Sequence, residues 1–127
     1  MAALLWIACG GGAGALARYL LAGWGQALAP GAFPLGTLVV NVAGCLLIGL
    51  LGALMSGPLL VREEVRLAVL VGLLGGFTTF SSFAWESFAL LNDGQWAQAG
   101  LNVLLSNGLG LAAVWLGYRV AERWLGA

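Results

Sequence analysis

Charged residues occur at wide intervals along this chain and leave four long apolar stretches between them. None precedes Arg18, none lies between Arg18 and Arg62, none between Arg66 and Glu86, and none between Asp93 and Arg119. A helix crossing the hydrocarbon core needs roughly 20 residues at 1.5 Å rise, and the pattern predicts helices at 3–27, 35–56, 65–91 and 97–123. Breakers separate them. Ala29-Pro30-Gly31-Ala32-Phe33-Pro34 comes first, then Ser56-Gly57-Pro58 before the charged turn Arg62-Glu63-Glu64-Val65-Arg66, and then the tight turn Asn92-Asp93-Gly94. No link is long enough to imply a second domain, so the expectation is an all-α membrane protein with residues 1–127 in one four-helix domain.

One stretch breaks the apolar pattern. Gly75-Gly76-Phe77-Thr78-Thr79-Phe80-Ser81-Ser82-Phe83 places paired glycines and four hydroxyls inside the third span. Backbone freed from a helix in lipid must be satisfied by protein, water or an ion, so irregular polar chain at this depth marks a cavity or conduction path. The expectation is a third helix interrupted near Gly75 to Thr79. Its first half would end in unpaired carbonyls suited to a cation, and its second half would begin with amides suited to an anion. Phe80 and Phe83 fall at i and i+3 on the second half. An aromatic ring has a positive edge, so rings presented edge-on can coordinate an anion without hydrogen bonding it.

Other polar residues align by helical spacing. Thr37 with Asn41, Ser82 with Glu86, and Asn102 with Ser106 are each i and i+4, which gives three helices a polar stripe. Arg18 and Glu86 each lie about two thirds of the way along their helix, where they can reach an interface, bond a neighbouring helix or face a pore vestibule. Small residues recur at helix-packing intervals, Gly10 with Gly14, Gly72 with Gly76 and Ala113 with Gly117. Such residues let backbones approach where lipid supplies no hydrophobic force for association. Four helices drawn together in this way enclose little volume, so a water-filled path forms more easily between subunits. A homo-oligomer follows, most simply a two-fold dimer.

Composition agrees with a bilayer as solvent. Hydrophobic residues make up 61% and charged residues 8% of the chain, against about 25% charged in a soluble domain, and the mean hydropathy is +0.99. The five basic and five acidic residues cancel and no His is present, which excludes imidazole chemistry and leaves no basic patch for nucleic acid. Cys9 and Cys45 stand alone in separate apolar segments, without metal-ligand spacing, and read as packing residues. No nucleophile with a positioned base appears, so an enzyme is not expected. Ala27-Leu28-Ala29 mimics a cleavage site, but the stretch before it lacks a basic start and is too long for a signal peptide; a retained helix is expected.

Gly11-Gly12-Ala13-Gly14-Ala15 with Arg18, Gly36-Thr37 with Asn41 and Gly44, and Gly75 to Phe83 with Glu86 together resemble the three motif blocks of the Fluc (CrcB) fluoride channels. The resemblance implies a dual-topology antiparallel dimer with two fluoride pores, in the plasma membrane of a prokaryote, conferring fluoride resistance by passive electrogenic export. It also implies roles. Phe80, Phe83 and Asn41 match pore positions; Thr37, Ser81, Ser82 and Ser106 match polar lining positions. Gly75 and Thr78 match the residues whose backbone carbonyls, from both subunits, hold a central structural sodium ion. Arg18 and Glu86 match characteristic charged positions. Asn102 stands where many relatives carry a tyrosine, and Cys45-Leu46 follow Gly44 where an aromatic is common.

Arg62, Arg66, Arg119 and Arg123 share one side of the predicted topology, opposed only by Arg18. By the positive-inside rule this bias puts both termini in the cytoplasm. The self-paired antiparallel dimer therefore has an alternative, a subunit paired with an oppositely inserted relative. A different class of reading is a small dimeric four-helix proton-coupled multidrug exporter, which would need a titratable carboxylate in the first helix where this chain has Arg18. A third is a non-transporting membrane subunit.

Overall fold

A computed structural model describes residues 1–127. The chain is all-helical, and four of its helices are long and apolar enough to cross a membrane. Helix α1 runs Ala2–Leu28 and α2 Leu35–Ser56. The third span, Glu63–Asn92, is composite. A short α3 (Glu63–Arg66) leads into a π-helical segment, Leu67–Leu73, and then α4 (Leu74–Phe77). After two extended residues, α5 covers Phe80–Asn92, and α6 covers Trp96–Trp124. The predicted limits agree to within about two residues at each end, as expected where only capping decides the last turn.

Close backbone approach assembles the bundle. A Cβ added at Gly10 would overlap the carbonyl oxygen of Ala68, one at Gly14 that of Leu73, and one at Gly76 that of Gly11. Helix α1 therefore lies directly on the backbone of the π segment and α4. The pair α2 and α6 meets in the same way, Gly49 against Val114 and Gly117 against Leu46, with Ala113 buried between them. The predicted small-residue pairs are thus the packing faces.

Of the paired glycines in the unusual stretch, Gly76 does the packing job expected of it with Gly72, and neither supplies the irregular backbone. Gly75 and Gly76 are helical members of α4, and no residue in the third span has positive φ. Gly76 serves close approach to α1, not backbone freedom. Extended conformation is confined to Thr78 (φ −81, ψ 157) and Thr79 (φ −150, ψ 108). The π segment was not legible beforehand, because Leu-Ala-Val-Leu-Val-Gly-Leu carries no local signal against an ordinary α-helix.

The turns hold by specific bonds. At the end of α5, Gly94 N–H donates to Leu91 O and Gln95 N–H to Leu90 O, with Gly94 at φ +76, a glycine-dependent helix stop. Between α1 and α2, Gln26 donates to Phe33 O at 3.0 Å and accepts from Gly36 N–H at 3.2 Å, replacing water for a loop rich in Pro and Gly. At the opposite end of the bundle, Gly57 lies against the C-terminal Ala127. There Arg62 pairs with Glu64, Arg66 with Glu63, and Arg119 with Glu122.

Candidate functional site

Two extended residues within a membrane span leave backbone groups to satisfy, and Asn41 of α2 takes both from Thr79. Its Nδ2 donates to Thr79 O at 3.0 Å and its Oδ1 accepts from Thr79 N–H at 2.8 Å. One side-chain amide thus imitates a neighbouring β-strand. Thr79 then starts α5: its Oγ1 accepts from Ser82 N–H at 3.2 Å and donates to Ser82 Oγ at 3.0 Å, an N-cap arrangement. Thr78 closes α4, its N–H and its hydroxyl both donating to Leu74 O at 3.0 Å.

These bonds have a consequence for the carbonyls. The helical donor for Gly75 O would be Thr79 N–H, which goes to Asn41; the helical donor for Thr78 O would be Ser82 N–H, which goes to Thr79 Oγ1. Both oxygens are released from the helix ladder. No group of three His, Cys, Asp or Glu placed to hold a metal ion occurs in the chain. Carbonyl oxygen is the donor that hard cations select.

Beside the two threonines is an open cavity of about 310 Å³, lined by Asn41, Gly75, Thr78, Phe80, Phe83 and Ser106 among others. These residues come from α2, both halves of the third span and α6. The rings of Phe80 and Phe83 lie 5.4 Å apart and tilted by 57°. Phe83 is 9% exposed and Phe80 77%, so one ring is seated in the protomer and the other projects from it. Cys45 and Asn107 also line this space.

A second cavity, about 390 Å³, lies against Arg18, Thr37, Thr79 and Ser82. Thr79 borders both. Thr37 donates to Glu86 Oε1 at 2.7 Å, so the stripe on α2 divides, with Asn41 facing one cavity and Thr37 the other. Ser82 likewise bonds Thr79 in place of Glu86, its i+4 neighbour. Arg18 and Glu86 form no ion pair with each other. Ser81 lines neither cavity and is exposed, 3.5 Å from Thr79 Oγ1.

The stripe on α6 does close on itself. Ser106 donates to Asn102 Oδ1 at 3.3 Å, and Asn102 Nδ2 donates to Ser87 Oγ at 2.9 Å. Ser87 was not legible as a site residue; a single serine after Glu86 has no spacing signal. Its burial beside Asn102 is a product of how α5 folds back on α6.

Residues 5–118 match the family described as CrcB-like protein, Camphor Resistance (CrcB). Among curated proteins, the chain is 50% identical over 123 residues to a "Fluoride-specific ion channel FluC" of Geobacter sulfurreducens, covering 97% of this chain and 99% of the relative. A protein of the same description from Nitrosococcus oceani is 44% identical over 119 residues, covering 94% and 95%. Another, from Solibacter usitatus, is 50% identical over 119 residues, covering 94% and 98%. The relatives' names describe ion channels, not enzymes. With motif blocks on three helices, four spanning helices and a match along nearly its whole length, this chain is a multi-pass membrane protein that belongs to the CrcB (FluC) family.

Proposed function

We propose that this protein is a fluoride-selective channel of a prokaryotic plasma membrane, lowering cytoplasmic fluoride by passive electrogenic export. The observation that carries the reading is the convergence of Asn41, Phe80, Phe83 and Ser106 on one open cavity beside the extended threonines. Fluoride is small and strongly hydrated. It conducts only if successive sites replace part of its water shell without holding it long. The ring edges of Phe80 and Phe83 offer a weakly polar surface, and Asn41 keeps one Nδ2 proton beyond the one it gives Thr79. Ser106 adds a hydroxyl. Ser82 adds a hydroxyl in the second cavity, where Arg18 lowers the cost of an anion and Thr37 lines the wall with its proton given to Glu86, and Ser81 adds one on the exposed face.

The cavity is open and Phe80 projects from the protomer, which supports completion of the path by a second subunit. In this reading the functional unit is a dual-topology antiparallel dimer with two pores, and the third span is broken at Thr78–Thr79 so that two such breaks face each other. Carbonyls of Gly75 and Thr78 from both subunits would then hold a structural sodium ion. The donor set fits: both oxygens lack helical donors, and a Cβ at Gly75 would meet nothing in its own chain. A bound cation supplies positive charge next to an anion path. The clustering of four arginines at one end favours pairing with an oppositely inserted relative as the second form of the same assembly.

Purified protein in liposomes loaded with fluoride tests the proposal. Rapid efflux that requires a potassium ionophore for charge balance and excludes chloride is expected. Proton-coupled cation exchange would establish the exporter alternative, and absence of flux would leave only a non-transporting subunit.

A further inference from the structure

Three polar residues are buried, Thr79, Ser87 and Asn102. Thr79 belongs to the Asn41 clamp, whereas Ser87 and Asn102 have no place in the conduction reading. They form a directional chain. Ser106 Oγ–H donates to Asn102 Oδ1 at 3.3 Å, Asn102 Nδ2–H to Ser87 Oγ at 2.9 Å, and Ser87 Oγ–H to Phe83 O at 2.8 Å. One step sets the direction of the rest. Ser87 has a single proton, and giving it to Phe83 O leaves its oxygen to accept; that turns the amide nitrogen of Asn102 toward α5 and its oxygen toward Ser106.

Both ends of the chain are cavity residues, since Phe83 and Ser106 line the same space. Asn102 does not line it and is 1% exposed. Its bond to Ser87 is the one side-chain hydrogen bond between α5 and α6. The far ends of these helices are tied by the Gly94 turn, and this bond ties them again on the way to the cavity.

We propose that Asn102 is a positioning residue of the ion path. Through Ser87 it holds the Phe83 turn of α5 and the Ser106 hydroxyl of α6 in fixed relation across the cavity. The inference rests on the channel reading above. The Ser106 link is long for an O–H···O bond, whose usual length is about 2.7–2.8 Å. It is therefore the weak end of the chain. A passing anion can accept the Ser106 hydrogen bond and Asn102 Oδ1 can accept it again afterwards, the proton staying on Ser106, while the Asn102–Ser87–Phe83 part stays closed.

The experiment compares the full-length protein with Asn102→Leu, Ser87→Ala and the double variant, each reconstituted in liposomes. Fluoride efflux is read by electrode, and folding by circular dichroism and size-exclusion chromatography. Removing both buried partners leaves no orphaned polar atom between them, so the double variant is expected to fold as wild type while its efflux falls by about tenfold, the equivalent of ~1.4 kcal/mol. Wild-type efflux from a folded double variant overturns the proposal. Should the double variant not fold, Ser87→Ala, which deletes one oxygen, carries the same expectation of reduced efflux and the same refutation. Coupling to Ser106 supplies a readout that a purely structural role leaves still: Asn102→Leu should reduce efflux by a smaller factor in a Ser106→Ala background, and equal factors in both backgrounds would overturn the assignment. Failure of the wild type to conduct fluoride removes the channel reading itself, a result distinct from any of these.

Discussion

Replacing Asn41 with leucine separates its structural duty from any contact with an ion. The substitution keeps the side chain's approximate size and removes both bonds to Thr79. Interhelical side-chain bonds in membrane proteins average only ~0.6 kcal/mol, because the unfolded reference state finds other partners, which would make two such bonds worth ~1.2 kcal/mol. Thr79 is a different case. It is extended, 8% exposed, and its N–H has no helix carbonyl to return to without remaking the α4–α5 junction. Each buried backbone group left unsatisfied costs about 1–3 kcal/mol, so Asn41→Leu should destabilise the protein by ~2–6 kcal/mol. Asn107→Leu is the control: that amide lines the same cavity but is exposed and bonds its own helix at Val103 O, so its loss should stay within ~0.5 kcal/mol. Equilibrium unfolding in mixed micelles, followed by tryptophan fluorescence, measures both. If Asn41→Leu matches Asn107→Leu, the clamp is not what holds Thr79, and Asn41 acts on the ion alone.

Three further outcomes are expected. Phe80→Ile and Phe83→Ile should each sharply reduce fluoride efflux with the dimer intact, and only Phe83→Ile should also cost stability, by ~1 kcal/mol, since it alone is seated in the protomer; unchanged efflux in both variants would remove the ring-edge mechanism. Gly14→Ala should cost ~1–3 kcal/mol, because the new methyl overlaps Leu73 O and α1 must shift, whereas Gly12→Ala, which meets nothing, should be neutral; a neutral Gly14→Ala would refute the close approach. Gly75→Val should leave the protomer folded, since nothing in its own chain lies within 4 Å of the added Cβ, yet prevent dimer formation; light scattering that shows a wild-type dimer would place Gly75 away from any partner.

The four spans and the Gly94 turn were legible because charge spacing and turn chemistry are local. Gly10, Gly14, Gly72 and Gly76 were legible as a packing face for the same reason. Pairings across helices were not. Spacing places Thr37 with Asn41 on one stripe, but α2 is narrow enough that the two residues reach different cavities, and Thr37 finds Glu86 forty-nine positions away. The extended conformation was legible as irregularity but assigned partly to the wrong residues. Glycine is permissive, so Gly75-Gly76 drew the expectation, whereas the side chains of Thr79 and Asn41 supply bonds that reward departure from the helix. Gln26 shows the same blind spot. A lone glutamine at the end of an apolar run has no signature, and its four loop bonds exist only once α1 and α2 are placed.

Backbone satisfaction at the α4–α5 junction is incomplete on both sides of the break, and that constrains any mechanism. Thr78 N–H, Thr79 N–H and Ser82 N–H all have acceptors, supplied by Leu74 O, Asn41 Oδ1 and Thr79 Oγ1. The carbonyls of Gly75 and Thr78 receive no helical donor, and the N–H groups of Phe80 and Ser81 at the start of α5 find no acceptor within the chain. The end of α4 therefore presents negative potential, and the start of α5 positive potential, beside the cavity that Phe80, Phe83 and Ser106 share. An anion in that cavity is repelled by the first and attracted by the second. Arg18 borders the other cavity. The proposed sodium, held on the freed carbonyls, would offset the repulsive end of α4 and leave the α5 amides to favour the anion, which ties the two proposals to one junction.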